Sequence, residues 1–178
     1  MRNLRGCYLA FFLICFLSLL PSSATQAATS RYFTVHWSDP KLLRDFNDNL
    51  MIGRLGRFIS KKNIVTVEDE VYAKLDVILE KAELVLDMYP SNMKVTVVLL
   101  PDAASVAAVY FEKYGQNAKN IAYYSLSENT IYVSVVNANL QVIAHELGHA
   151  IVNHYFKERP PYHIHELMAQ FVEKHITD

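Results

Sequence analysis

The chain has 178 residues, of which 52% are apolar and 20% are charged, and this length suits one domain with one core. The composition excludes a disordered chain, because such chains are poorer in apolar residues, and it excludes a membrane protein with several spans. The formal net charge of −1, without a basic stripe, gives nucleic-acid binding no support.

Residues 1–28 have the pattern of a secretory signal peptide. Two arginines precede an apolar run over residues 8–20, and small residues dominate the stretch that follows. We predict cleavage after one of three alanines, Ala24, Ala27 or Ala28. The apolar run is short for a membrane span, so we expect no stable span after cleavage, with an uncleaved N-terminal anchor as the alternative.

The remainder, residues 29–178, is predicted to be a single domain of a secreted or periplasmic protein. Both cysteines lie in the leader, so this domain can form no disulfide and carries no thiolate nucleophile. Lys and Arg number 17 in all, and removing the two leader arginines leaves 15 against 18 acidic residues, a net charge of −3. We therefore expect no nucleic-acid partner.

The first half of the domain is predicted to contain one strand and one long helix. A β-rich run over residues 31–37 predicts the strand, and the Asp-Pro pair that follows begins a helix or turn. Residues 41–63 fit either an ordinary connection with one packed face, which we favour, or a short amphipathic lid or membrane-surface segment. Helical spacing over residues 66–88, with Thr66 as N-cap and Asp69 three residues on, predicts a surface helix.

The second half is predicted to bring a central strand, a helix and a hairpin before the last two helices. Residues 93–100 are apolar enough on both faces for a strand inside a sheet, and a helix over residues 103–114 is closed by Gly115. Two β-rich runs, at residues 121–124 and 130–136, predict a hairpin. The element order indicates an α+β domain in which helices pack on a small mixed sheet.

The stretch His145-Glu146-Leu147-Gly148-His149 has the pattern H-E-x-x-H inside an apolar run over residues 140–156. On a helix, His145 and His149 lie one turn apart on the same side and can direct two imidazoles at one Zn²⁺. Glu146 lies about 100° further round the helix, where its carboxylate can take a proton from a water molecule at the metal. The motif therefore predicts a zinc site with Glu146 as general base.

The third metal ligand is expected from the next helix. Because the first helix is apolar nearly all round, it is expected to be buried, and two histidines on a buried helix need partners. Pro160-Pro161 is expected to end that helix, and a second helical pattern over residues 165–172 then brings Glu166 back to the metal. Two His and one Glu leave a fourth position open for water, as in catalytic zinc sites.

The combination H-E-L-G-H, Pro-Pro and E-L-M-A-Q-F resembles the gluzincin metallopeptidases, and most closely the small peptidase MA-like domains. Their pattern is H-E-[LF]-x-H followed by P-x-[WY]-x-x-E-G-x-A-[EQ]-[YF]. The resemblance implies a zincin-like fold, with His145, His149 and Glu166 as zinc ligands and Glu146 as catalytic base. It also implies that a strand of the hairpin forms the upper rim of the cleft and pairs with an extended peptide or protein substrate.

Two positions depart from the family pattern, and two residues could be the hydrogen-bond partner of a metal-bound histidine. Leu167 stands where the family has a small residue, and Gln170 stands where a carboxylate is common. A metal-bound histidine usually donates its second ring N–H to a carboxylate or carbonyl, and either Gln170 or Glu173, on the face of Glu166, can accept it. His154 is interpreted as a core or helix-end histidine.

Peptide hydrolysis also needs a hydrogen-bond donor for the oxyanion of the tetrahedral intermediate. The sequence offers five candidates without ranking them, Tyr123, Tyr124, Tyr162, His163 and His165.

The leading hypothesis is a zinc-dependent peptidase. The alternatives are a catalytically silent zinc-binding envelope domain with an assembly or regulatory role, a glycan-acting enzyme that activates water in the same way, and an envelope domain without metal. An intact Glu146 argues against the silent domain, because a structural zinc site has no need of that carboxylate.

Overall fold

The computed structural model describes residues 26–59 and 64–178. The strands there are β1 (Gln26–Thr29), β2 (Phe33–Trp37), β3 (Val95–Leu100), β4 (Ala122–Ser125) and β5 (Thr130–Ser134). The α-helices are α1 (Pro40–Asn49), α2 (Gly56–Ile59), α3 (Val67–Leu86), α4 (Ala103–Tyr114), α5 (Leu140–Tyr155) and α6 (Tyr162–His175). Short 3-10 helices cover Gly53–Leu55 and Val135–Asn137. The prediction of helices packed on a small mixed sheet is confirmed.

The five strands form one sheet in the order β1-β2-β3-β5-β4. The three inner strands are parallel, whereas β1 and β4 run antiparallel to their neighbours. The predicted internal strand is β3, at the centre of the sheet, and the predicted hairpin is β4 with β5, in which Tyr123 faces Tyr132. The strand β4 therefore lies at one edge of the sheet.

The two faces of the sheet are covered unequally. One face carries the major core, to which α1, α3, α5 and α6 all contribute buried residues. In the described part of the chain, the other face carries α4 over a small cluster of Val106, Tyr123 and Tyr132. Along β4, Tyr124 points into the major core and Tyr123 points to the α4 side, as the alternation of side chains in a strand requires.

Two helices begin with the capping residues that the sequence indicates. The side chain of Thr66 accepts a hydrogen bond from the Asp69 N–H, and the Asp69 side chain accepts one from the Thr66 N–H, which is the predicted capping box of α3. These bonds lower the pKa of Asp69 below its ordinary value. Asp39 caps α1 in the same way, by accepting from the Lys41 N–H at 2.7 Å.

The segment predicted as an ordinary connection is more regular than expected. Leu43 and Phe46 of α1, and Leu50 just after it, are buried in the major core, so this helix has the one packed face that was predicted. A short 3-10 helix and α2 follow, and residues 60–63 lie outside the described residues. The alternative of a lid or membrane-surface segment applies to the same residues, 41–63, and it stays untested because residues 60–63 are not described.

The leader prediction lies mostly outside the described residues, which begin at position 26. The strand β1 covers the last residues of the predicted leader and pairs with β2. Cleavage after Ala24 keeps this strand, whereas cleavage after Ala27 or Ala28 removes half of it or more. Within residues 26–59 and 64–178, no helix is long and apolar enough to cross a membrane.

The end of α5 differs from the prediction. Pro160-Pro161 was expected to stop this helix, but it ends at Tyr155, and Phe156 already has extended backbone angles. Residues 155–159 are all exposed, so a continued helix would bury no apolar face there. Helix α6 begins at Tyr162, immediately after the proline pair and earlier than the predicted start.

Candidate metal site and cleft

Helix α5 carries the two motif histidines on the side away from the core. Asn139 caps this helix by accepting a hydrogen bond from the Val142 N–H at 3.0 Å. The predicted apolar face is buried in the major core, at Leu140, Ile143, Ala144, Leu147, Ala150 and Ile151. His145 and His149 therefore point outward together, with ring centroids 4.9 Å apart.

Helix α6 packs against α5 with its backbone almost touching Gly148. A Cβ atom on Gly148 would lie 2.8 Å from the Cα atom of Ala169, which is closer than real Cβ contacts come. The glycine of the H-E-L-G-H motif is thus a packing residue that sets the distance between the two helices. This distance brings Glu166 of α6 opposite the two histidines.

Three candidate metal ligands meet across the two helices. Glu166 Oε1 lies 3.7 Å from His145 Nε2, and Glu166 Oε2 lies 3.6 Å from His149 Nε2. One ligand atom from each residue lies within 4.8 Å of the other two. Both nitrogen–oxygen distances are too long for a hydrogen bond, so the side chains surround a space instead of bonding to one another.

This group is close enough to hold a metal ion, as predicted. Tetrahedral Zn²⁺, with bonds of about 2.0–2.1 Å, separates its ligand atoms by roughly 3.3 Å. The distance from Glu166 Oε1 to His145 and the distance from Glu166 Oε2 to His149 each exceed that value by only a few tenths of an ångström, and one ligand atom per residue fits within 4.8 Å. Two imidazoles and one carboxylate are also a donor set of catalytic zinc sites, so the residues fit this ion.

The pairing that the sequence left open is resolved in favour of Glu173. Its Oε2 lies 2.9 Å from His145 Nδ1, which leaves Nε2 of that ring to face the metal position. Gln170 instead donates a hydrogen bond to Glu166 Oε1 at 2.9 Å. Leu167 is 62% exposed, so this large side chain meets no packing conflict.

Glu146 is the buried carboxylate beside the metal position. Only 7% of the residue is exposed, and burial raises its pKa to about 7. The charge of His145 opposes this rise, and so does a hydrogen bond from the backbone N–H of Tyr124. The edge strand β4 therefore holds the candidate base directly, and a carboxyl group with this pKa can both accept and return a proton near neutral pH.

His149 is held in the neutral form that binds metals. Burial and the neighbouring charge of His145 lower its pKa to about 4, against the attraction of Glu166. Burial also lowers the pKa of His165, whose ring stacks on His149 with centroids 6.1 Å apart. His154 lies in the last turn of α5, with Nδ1 at 2.9 Å from the Ala150 carbonyl oxygen, as predicted for a helix-end histidine.

A cleft of about 630 Å³ runs from the metal site across the outer edge of β4. Of the candidate oxyanion donors, Tyr162 and His165 line this cleft near Glu166. Tyr124 also lines it, but its hydroxyl is engaged with Asn129 at 2.7 Å and with Asn153 at 3.0 Å. Tyr123 lies at the far end, on the α4 side.

Two of the remaining assignments differ from the candidates named in the sequence. His163 is exposed and is not among the cleft residues. Arg159, which the sequence reasoning missed, lines the cleft, and its charge contributes to the lowered pKa values of His149 and His165. Its position between the two ligand-bearing helices, directly before the proline pair, was the signal that could have indicated it.

Comparisons of the chain with protein-family models, with curated proteins and with solved structures give no match. The site is therefore interpreted from its own geometry and chemistry.

Proposed function

We propose that this protein is a secreted or periplasmic zinc-dependent peptidase of the gluzincin type, with a zincin-like fold. The observation that carries the proposal is the meeting of His145, His149 and Glu166 beside the buried carboxylate of Glu146. Structural zinc sites are closed by four protein ligands, whereas the group found among the described residues has three. That arrangement leaves a position for water.

A bound zinc ion supplies a Lewis acid that lowers the pKa of water to about 7 and polarises a carbonyl group. Glu146 accepts one proton from the water that attacks the peptide carbonyl carbon. In the metal-free protein, burial raises the pKa of this carboxylate above its ordinary value, which favours its role as proton acceptor. Glu146 then gives the proton to the leaving amine, so the reaction needs no covalent acyl-enzyme.

The proposed substrate is an extended peptide or a protein segment. The cleft runs along the edge strand β4, whose outer backbone groups can pair with an added strand. Arg159, Tyr162 and His165 line the cleft on the metal side and are the candidates for stabilising the oxyanion.

The test compares the zinc content and the peptidase activity of two variants with those of the wild type. We expect about one zinc per wild-type chain, loss of zinc in His149→Ala, and retained zinc in Glu146→Gln. Glu146→Gln should lower kcat/KM on a mixed peptide library by about 10³-fold, because it removes the proton acceptor and keeps the shape. Zinc is measured by elemental analysis and cleavage by mass spectrometry.

Two outcomes would contradict the proposal in different ways. A folded wild-type protein that binds no zinc would contradict all of the zinc-dependent hypotheses together. A zinc-loaded wild type that cleaves no better than Glu146→Gln would favour the silent zinc-binding domain.

A further inference from the structure

The cleft extends from the metal site to three tyrosines on the α4 side of the sheet. We call them the tyrosine wall, which consists of Tyr110, Tyr114 and Tyr123. The ring centroids are 4.7 Å apart for Tyr110 and Tyr114, and 5.1 Å apart for Tyr110 and Tyr123. Tyr114 and Tyr123 are 6.4 Å apart. The three rings therefore form one continuous aromatic surface at this end of the cleft.

The wall is held in place and carries no charge. The hydroxyl of Tyr114 lies 2.9 Å from Ser125 Oγ, which fixes the ring of Tyr114 against the edge strand. Burial raises the pKa of Tyr123, so its phenol stays neutral. The nearby charges of Lys113 and Glu128 are paired with each other at 2.5 Å. An approaching side chain thus meets aromatic carbon and hydroxyl groups.

Part of this aromatic surface is open to the cleft. Tyr114 is 41% exposed and Tyr110 is half-buried, although Tyr123 beneath them is buried. Rings of this kind attract other rings in offset or edge-to-face contacts, which add to the gain from burying apolar area.

A peptide added to β4 would direct every second side chain toward the wall. The Ser134 N–H donates to the Ile121 oxygen at 2.8 Å, so Ile121 and Tyr123 direct their backbone groups to β5. Ala122 and Tyr124 then direct theirs outward, and the Tyr124 N–H indeed reaches Glu146. Because side chains alternate along a strand, a residue beside the metal has neighbours that point to the α4 side.

We propose that the tyrosine wall is a subsite that selects a large apolar side chain, aromatic before aliphatic, next to the scissile bond. The inference rests on the proposed peptidase function, because pairing along β4 is what aligns the peptide with the wall. An aromatic side chain gains ring contacts there. A charged side chain loses water and finds no partner of opposite charge among the three tyrosines.

The test measures binding in the catalytically inert Glu146→Gln protein loaded with zinc. Fluorescent heptapeptides with Phe, Leu, Ala or Lys at each position in turn are titrated by anisotropy. We expect Phe at one position to bind about 10-fold more tightly than Ala there, with Leu between them. Adding Tyr114→Ala or Tyr110→Ala should remove most of this preference, whereas Tyr114→Phe, which keeps the ring, should retain it.

The matched control is Tyr89→Ala, which removes a 56% exposed tyrosine from outside this cleft and should leave the preference unchanged. Far-UV circular dichroism and the melting temperature confirm that each variant is folded. The proposal is overturned if the parent protein binds no peptide, if it shows no preference for Phe, or if the preference survives both alanine substitutions. Binding of a chito-oligosaccharide that depends on Tyr114, in place of peptide binding, would overturn it in favour of a glycan.

Failure of the subsite and failure of the peptidase function give different results. If the wild-type protein cleaves peptides without any preference for an aromatic residue, the peptidase function is supported and the subsite is contradicted. If the wild-type protein cleaves nothing but the Glu146→Gln protein binds Phe peptides through Tyr114, the peptidase function is contradicted and the aromatic binding site is supported.

Discussion

The two faces of the sheet differ in how firmly they hold their side chains. On one face the ligand-bearing helices α5 and α6 are anchored by fully buried residues such as Leu147, Ile151 and Val172. On the other face α4 rests on a small cluster, and the tyrosine wall is partly exposed. The proposed metal ligands, which need fixed geometry, therefore lie on the densely packed face, and the surface proposed to adapt to substrate side chains lies on the lightly packed one.

The largest effect is expected at the contact between α5 and α6, on the densely packed face. Gly148→Ala places a methyl group against the backbone of Ala169, which cannot move without moving the whole helix. We expect a loss of about 3 kcal/mol in the free energy of unfolding, together with weaker zinc binding. Urea denaturation and zinc titration measure the two effects.

The matched control is Gly56→Ala, because a methyl group there meets nothing within 4 Å and the glycine has helical backbone angles. This control should be neutral or slightly stabilising, by about 0.5 kcal/mol. Equal stability of the two variants would mean that the helices do not approach as described.

The buried carboxylate gives a pH-dependent difference on the same face. Burial raises the pKa of Glu146 from its ordinary value of 4.5 to about 7 in the folded, metal-free protein. Its contribution to stability is fully present below pH 4.5 and is lost as the pH rises through 7, because the fold disfavours the ionised form. When the pH is raised from 4.5 to 8, the free energy of unfolding of Glu146→Gln should therefore increase by roughly 2–3 kcal/mol relative to that of wild type. Chelator-treated samples are compared by urea denaturation, and parallel stability curves would contradict the burial of this charge.

The smallest expected effect concerns the orientation of one ligand, and it separates the two faces most cleanly. Glu173→Gln removes the carboxylate that bonds His145 Nδ1, so zinc affinity should fall about 10–100-fold while the fold is kept. Tyr114→Ala, on the other face, should leave zinc affinity unchanged. Competition with a chromophoric chelator measures both, and a drop of equal size in the two variants would contradict the separation of the faces.

The local elements could be predicted because their signals lie within a few consecutive residues. The capping box of Thr66 and Asp69 fixed the start of α3, and the apolar periodicity around His145 and His149 predicted which side of α5 is buried. The ligand group followed from helix geometry and from a carboxylate on the next helix. The assignment of zinc and of peptidase activity stays a prediction.

Pairings between side chains on different helices could not be predicted in the same way. Gln170 and Glu173 both lie on the face of Glu166, and only the crossing of α6 over α5 decides that Glu173 reaches His145. Arg159 was missed because it lies in an irregular turn, where no periodicity indicates the direction of a side chain. The strand β1 was missed because its short sequence also fits the end of a leader.

The bond from the Tyr124 backbone to Glu146 means that the edge strand proposed to pair with a substrate and the proposed general base share one piece of main chain. A ligand that tilts β4 would also turn the carboxylate. In the proposed peptidase, a peptide bound in the wrong register would lose strand pairing and would also misalign the base. Discrimination between substrates would accordingly show up in kcat as well as in KM.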